Sequence, residues 1–371
     1  MKTMRLGVSS ALVDGVLIEG DVETARGEIV AVGVAPPAGE HIAIPGYIDL
    51  QVNGFAGVDF LSCDVDGYRV AGEALVARGV TSYQPTLVSS PPEVTTAALE
   101  VAAKAQIESV PRILGVHLEG PFIAPAWKGA HDERYIVGPD LELASKLCNA
   151  GPVTYMTIAP EPPGGFELLD WLLGRGIIVS LGHSDADAPT AHAAYNRGAR
   201  AVTHLHNAQR RFAARDPGIS AVALTRGDVV VQVIADLIHL APETLLIAWR
   251  CARDRLVLVT DAIAAATVGP GEYRLGDRLV YVSDDAARLA DGTLAGSLLT
   301  MDRAVRNLAG LGVPWPEAVH AATTTPARLI GRDELGTLRP GSPADVAVLA
   351  DDLSPVRTIV SGREVWAAPS V

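Results

Sequence analysis

Val230–Val231–Gln232–Val233–Ile234 and Leu256–Val257–Leu258–Val259 are short apolar runs, each long enough for one strand, with a helix-like stretch between them. The same unit recurs upstream, with strand runs at Ile113–Leu114–Gly115–Val116, Ile177–Ile178–Val179–Ser180 and Ala201–Val202–Thr203 separated by Ala-rich helical stretches. Such runs are buried on both faces, as in a parallel sheet covered by helices. A chain carrying this many βα units over residues 47–334 suits a (β/α)8 TIM-like barrel, usually about 250 residues plus insertions. A doubly wound open sheet is the alternative, but the chain has neither a G-x-G-x-x-G after a first strand nor a Walker loop.

Outward from this α/β region the texture changes. Arg5–Leu6–Gly7–Val8, Gly15–Val16–Leu17–Ile18 and Gly27–Glu28–Ile29–Val30–Ala31–Val32 read as short strands separated by turn residues, and no helix is expected before residue 46. Asp345–Val346–Ala347–Val348–Leu349 and Val356–Arg357–Thr358–Ile359–Val360 repeat that style near the other end. Residues 1–46 and 335–371 are therefore expected to form one small β-sandwich domain built from both termini, beside a catalytic barrel over 47–334.

Composition narrows the function classes. In 371 residues, 30 Lys and Arg stand against 43 Asp and Glu, a formal net charge of −13, so the long-range field repels nucleic acid and anionic membranes. An anionic substrate must then be met by local cations. Cys63, Cys148 and Cys251 are far apart and form no C-x-x-C pair, which fits a reducing cytoplasm better than a disulfide framework or a thiolate zinc site. No apolar run reaches the roughly 18 residues of a membrane span, and Met1–Leu17 is broken by Asp14, so neither membrane insertion nor a cleaved signal is expected.

The rare polar residues carry the chemistry. Glu119, His183, His204 and Asp261 each stand within a few residues of the C-terminal end of a different strand candidate, and in a barrel those ends converge on one mouth. One carboxylate and two imidazoles make a ligand set for Zn²⁺ or a similar divalent ion that leaves a coordination position for water. Taken singly, each also reads as an isolated polar residue at a barrel rim, and Asp261 also reads as the N-cap of the next helix. Asp261 next to such a site could take a proton from water and return it to a leaving group.

Pro45–Gly46–Tyr47–Ile48–Asp49–Leu50, His117–Leu118–Glu119–Gly120–Pro121, Leu181–Gly182–His183–Ser184, Thr203–His204–Leu205–His206–Asn207–Ala208 and Leu258–Val259–Thr260–Asp261–Ala262 resemble the amidohydrolase superfamily. Within it, the His-Leu-Glu-Gly-Pro and Thr-His-Leu-x-Asn-Ala segments resemble the N-acetylglucosamine-6-phosphate deacetylases. The later segments Ala318–Val319–His320–Ala321–Ala322–Thr323, Gly336–Thr337–Leu338 and Gly341–Ser342–Pro343–Ala344–Asp345 agree with the superfamily as a whole. The resemblance implies hydrolysis of the acetamide of N-acetylglucosamine 6-phosphate, with Glu119, His183 and His204 holding the metal. It makes Asp261 the base and then the acid, and His131 the imidazole that polarises the amide carbonyl, although His131 alone also reads as a loop histidine. Where many superfamily members carry His-x-His, this chain has Gln51–Val52–Asn53, so one metal ion per subunit is expected, Zn²⁺ first and Fe²⁺ or Co²⁺ next.

By the same resemblance the phosphorylated sugar meets Ala130, Asn207, Ala208, Arg215 and His239, with Ala295–Gly296–Ser297 closing the sugar pocket. Arg215 reaches a neighbouring subunit's site in that family, which implies a homodimer. Arg210 and Arg211, next to it, read as a solvated helix face, and His117, two residues before Glu119, as a buried structural histidine. The rival readings are a related enzyme acting on N-acetylgalactosamine 6-phosphate, another N-acyl amino sugar or a cyclic amide, and a non-catalytic barrel used as a scaffold.

Overall fold

The computed structural model describes residues 3–108, 110–283 and 286–369, so the outermost residues of the terminal segments assigned above to the β layer, 1–2 and 370–371, lie outside the described residues. Eight parallel strands wind in chain order: β1 Tyr47–Val52, β2 Val80–Val88, β3 Val116–Glu119, β4 Val153–Ile158, β5 Ile178–Leu181, β6 Ala201–Val202, β7 Val230–Ile234 and β8 Leu256–Val259. Each pairs in parallel with its successor. The ring closes between β8 and β1, where the Asp261 N–H donates to the Gln51 carbonyl at 2.8 Å and the Asn53 N–H to the Ala262 carbonyl at 2.8 Å. Asp49 locks this seam: its carboxylate accepts from the Thr260 hydroxyl at 2.6 Å, the Thr260 N–H at 3.2 Å and the Gln51 N–H at 3.3 Å. The fold is the (β/α)8 barrel.

Helices cover the outside, and Asp residues start several of them. Asp64 accepts from the Gly67 N–H before Val65–Val76, Asp140 from Glu142 and Leu143 before Leu141–Ala150, and Asp187 from Thr190 before Ala188–Arg197. Each such cap satisfies a main-chain donor that the first turn leaves unpaired, worth about 1 kcal/mol.

Two strand readings change. The run at Ile113–Val116 is split into Arg112–Ile113 and Val116–Glu119. Gly115 between them has φ +100, and a Cβ there would lie 2.2 Å from the Thr154 hydroxyl oxygen, so the chain bends where only glycine fits. Strands β1, β2 and β4 were not among the apolar runs, because they carry polar residues such as Asp49, Gln51, Gln84, Thr86 and Thr157 into the barrel interior, where all five are buried.

The termini meet in a second layer. A six-stranded sheet runs in the order Arg363–Ala367, Pro355–Val360, Val346–Leu349, Ile42–Pro45, Ser10–Val13, Val16–Glu19, thus mixing strands from both ends of the chain. A three-stranded sheet of Met4–Arg5, Asp21–Ala25 and Glu28–Val34 packs against it around Val8, Val22, Ile29, Val346 and Ile359. A further small sheet of Gly271–Leu275, Arg278–Ser283 and Ala286–Arg288 follows β8 and packs on Val88, Ile263 and Ala295 near the barrel mouth.

Candidate active site

Glu119 ends β3, whereas His183, His204 and Asp261 each stand two residues beyond the ends of β5, β6 and β8. All four side chains are buried, and they meet at the C-terminal mouth of the barrel. Oε1 of Glu119 lies 3.1 Å from His183 Nε2 and 2.9 Å from His204 Nε2, and the two Nε2 atoms are 3.1 Å apart. His183 Nδ1 sits 2.8 Å from the main-chain carbonyl of Trp127. A carbonyl only accepts, so Nδ1 carries the proton and Nε2 keeps its lone pair for the cluster. Three such donor atoms, two imidazole nitrogens and a carboxylate oxygen, fit a divalent cation that takes mixed N and O ligands.

The electrostatics of Glu119 and His183 match that reading. At His204 burial pushes the imidazole down, but the Glu119 carboxylate outweighs burial and raises the ring above its usual value. Burial pushes the Glu119 carboxyl up, but the surrounding imidazoles of His131, His183 and His204 outweigh it and hold Glu119 well below the usual carboxylate range. Burial, reinforced by His131, takes His183 down to about 4, so this ring is neutral and able to ligate at physiological pH.

Asp261 stands beside the cluster in a different environment. Burial, then the charge of Glu119, pushes its carboxyl up to about 6. Its Oδ1 accepts from Asn53 Nδ2 at 2.7 Å and from Gln51 Nε2 at 3.2 Å, and the same Gln51 amide donates to Glu119 Oε1 at 3.0 Å. Both amides are thus committed as donors to carboxylates. Oδ2 of Asp261 has no partner among the described residues and is free to receive a proton.

His131 arrives from the loop after β3. Its Nδ1 lies 3.2 Å from the Ser89 main-chain nitrogen and 2.9 Å from the Ser89 hydroxyl. A main-chain N–H only donates, so Nδ1 accepts and the proton sits on Nε2, which is 3.7 Å from Glu119 Oε2. His183 and His131 are therefore opposite tautomers, one built to offer a lone pair and the other to donate. The His131 loop is tied to the small sheet over the mouth by the Tyr135 hydroxyl, which donates to Asp277 at 2.7 Å.

Glu119, His131, His183, His204 and Asp261 line one cleft of about 200 Å³, together with Ala130, Asn207, Ala208, His239 and Gly296 of the expected sugar contacts. Three expected contacts lie elsewhere. Ala295 is buried behind the wall, and Ser297 turns its hydroxyl to the Thr260 carbonyl while its N–H donates to the Asp261 carbonyl at 2.8 Å, so it braces the Asp261 loop. Arg215 is exposed on the 208–217 loop, outside the lining of the cleft. Arg210, expected on a helix face, is in irregular structure instead, where its Nε donates to Asp216 at 2.8 Å. His117 is buried, 2.8 Å from the Thr157 hydroxyl.

Sequence reasoning gave no role to Ser89, and read Gln51 and Asn53 only as standing where many superfamily members carry His-x-His. One structural signal marks the site independently of residue type. His183, His204 and Asp261 all adopt left-handed conformations, with φ of 48°, 30° and 50°. Such conformations cost non-glycine residues about 1 kcal/mol or more each, and they cluster where side chains must be aimed at a function.

The profile of the Amidohydrolase family matches residues 42–365. The chain is similar to the mouse N-acetylglucosamine-6-phosphate deacetylase, 40% identical over 348 residues that cover 89% of this chain and 85% of the relative. It is also similar to the Lysinibacillus sphaericus enzyme of the same name, 33% identical over 333 residues covering 86% and 84%. Among solved structures, the Thermotoga maritima N-acetylglucosamine-6-phosphate deacetylase superposes with a TM-score of 0.92 at 33% identity, covering 98% of this chain and all (100%) of that one. A Mycobacterium smegmatis mutant deacetylase in complex with N-acetyl-D-glucosamine 6-phosphate superposes with a TM-score of 0.93 at 31% identity, covering 98% and 100%. With its barrel, its Glu-His-His cluster and this extent of similarity, the chain belongs to the amidohydrolase family and, within it, to the N-acetylglucosamine-6-phosphate deacetylases.

Proposed function

We propose that this chain hydrolyses the acetamide of N-acetyl-D-glucosamine 6-phosphate to D-glucosamine 6-phosphate and acetate, in the breakdown or recycling of amino sugars. The observation that carries this reading is the meeting in one cleft of the Glu119, His183 and His204 donor set, the free Oδ2 of Asp261 and the Nε2–H of His131. A divalent cation held by Glu119, His183 and His204, Zn²⁺ by preference and Fe²⁺ or Co²⁺ by the same ligand chemistry, supplies Lewis-acid polarisation and a more acidic water.

The chain's own groups do the rest. His131 donates through Nε2 to the amide oxygen as that oxygen gains negative charge, in the manner of an oxyanion hole. Asp261 takes the proton of the attacking water on Oδ2 and delivers it to the departing amine nitrogen. Gln51 and Asn53 hold Asp261 in place by amide hydrogen bonds, and amides are poor ligands for a second transition-metal ion, which supports one ion per subunit. Asn207, Ala208, Ala130, Gly296 and His239 border the sugar phosphate, and the exposed Arg215 serves the phosphate of a partner subunit in a homodimer. Residues 1–46 and 335–371 form the β domain and 47–334 the catalytic barrel, in a cytoplasm where Cys63, Cys148 and Cys251 stay reduced.

Metal analysis of the purified protein, coupled to acetate release from N-acetylglucosamine 6-phosphate, N-acetylgalactosamine 6-phosphate and their unphosphorylated forms, tests this. About one ion per chain and release lost on full chelation are expected. Undiminished release from the metal-free protein, or none from any of these sugars, would end the proposal.

A further inference from the structure

Beyond β7 the chain makes a tight turn, Asp236–Leu237–Ile238–His239, that aims His239 into the cleft. Leu237 has φ +67 and is 37% exposed, so neither glycine-like freedom nor burial explains its conformation. Asp236 does. Its Oδ1 accepts from the main-chain N–H groups of Ile238 at 2.9 Å and His239 at 2.8 Å, closing the turn, and its Oδ2 lies 2.7 Å from His239 Nδ1. Both side chains are nearly inaccessible, 8% for Asp236 and 6% for His239.

Burial pushes the Asp236 carboxyl up, yet the His239 ring and the two main-chain donors outweigh burial and leave it below the usual carboxylate range. As a carboxylate it cannot donate, so the proton of this short contact sits on His239 Nδ1. Nε2 is then the ring atom left with a lone pair, and His239 lines the cleft beside Asp261.

We infer that Asp236 is a positioning residue for the substrate: it fixes the ring plane and tautomer of His239 so that the Nε2 lone pair faces the cleft as an acceptor for a hydroxyl of the sugar, and it builds the turn that brings the ring there. It touches no reacting atom and acts through His239 alone. A carboxylate behind an imidazole orients a ligating histidine in metal sites, and the same device here orients a binding one. The kinetic consequence rests on the deacetylase reading above, and the tautomer does not.

Asp236→Asn separates the two duties. Asn keeps an oxygen for the Ile238 and His239 N–H groups, but offers Nδ1 an amide donor in place of a carboxylate. In ¹⁵N-histidine-labelled protein, with His239 assigned through His239→Gln, Nδ1 of His239 is expected to be protonated in the wild type and unprotonated in Asp236→Asn. KM for N-acetylglucosamine 6-phosphate is expected to rise about tenfold with kcat within about threefold. The double variant Asp236→Asn/His239→Gln is expected to match His239→Gln alone. Asp236→Ala adds a fall in Tm, because the turn also loses its acceptor. An unprotonated Nδ1 in the wild type, a loss in kcat rather than KM, or additive losses in the double variant would each overturn the assignment. Absence of acetate release from the wild type would remove the deacetylase reading and leave the tautomer measurement to decide the role of Asp236.

Discussion

The main-chain N–H of Ser89 points at Nδ1 of His131 from 3.2 Å, and this contact fixes the Nε2 of a residue 42 positions away as a donor. A histidine held this way polarises a carbonyl without gaining or losing a proton of its own. His131→Asn is therefore expected to lower kcat by about 10² to 10³, the usual cost of removing one oxyanion donor, with metal content unchanged and KM within a few-fold. Steady-state kinetics and metal stoichiometry on one preparation check this. A loss of metal instead would make His131 a ligand.

Asp261 works as a base only when ionised. With burial, then Glu119, pushing its carboxyl up to about 6, kcat/KM is expected to fall on acidification below that value, about tenfold per pH unit. A bound cation favours the carboxylate and moves this limb to lower pH, so the limb in the metal-loaded enzyme lies at or below pH 6. Asp261→Asn is expected to lose about 10² to 10⁴ in kcat, keep its metal, and show no acid limb in the residual rate. A pH profile of both proteins decides it, and an unchanged limb in the variant would assign that limb to another group.

Much of this was legible because of where polar residues interrupt apolar runs. Glu119, His183, His204 and Asp261 sit at the ends, or two residues beyond the ends, of β3, β5, β6 and β8, which read as strands, and the recurring βα rhythm and the two-ended β layer follow from the same patterning. Strands β1, β2 and β4 were hidden because they carry polar residues inward: Gln51 serves Asp261, Gln84 donates to the Thr154 hydroxyl at 2.8 Å, and Thr157 lies 2.8 Å from His117. The small sheet at the mouth was missed although its signal was present. Arg278–Ser283 alternates exposed and buried residues, and Gly276–Asp277 is a two-residue hairpin turn. Ser89 was out of reach of sequence reasoning, since its role is created by a main-chain atom meeting a distant ring.

The exposed position of Arg215, outside its own chain's cleft, sets up a test of the homodimer. Arg215→Ala is expected to raise KM for the phosphorylated sugar by roughly one to two orders of magnitude and to leave the unphosphorylated sugar unaffected, because a guanidinium recognises phosphate through charge-assisted hydrogen bonds. When Arg215→Ala and Asp261→Asn subunits are mixed and allowed to exchange, the hybrid has one site with an intact Asp261 and a partner's intact Arg215. At substrate concentrations well below the KM of Arg215→Ala, activity is then expected to rise above that of either parent. No recovery on proven exchange would put Arg215 in its own subunit's site or in none.

Gly120 follows Glu119 directly, has φ +82, and faces Ser89 so closely that an added Cβ would lie 2.3 Å from the Ser89 hydroxyl oxygen. The glycine leaves the room in which Ser89 reaches His131, and it stands next to a metal-ligand candidate. Gly120→Ala therefore carries two penalties, about 1 to 2 kcal/mol for a left-handed alanine and about 1 to 3 kcal/mol for overpacking. The expected result is a lower Tm together with a kcat loss, since the clash pushes on Ser89 and so on the His131 ring. Ser89→Gly in the same chain removes the clashing atom but not the backbone strain, so part of the Tm and part of kcat are expected to return in the double variant. Strictly additive effects would show that the Ser89 hydroxyl and the Gly120 backbone are not coupled, and that His131 is oriented by the Ser89 N–H alone.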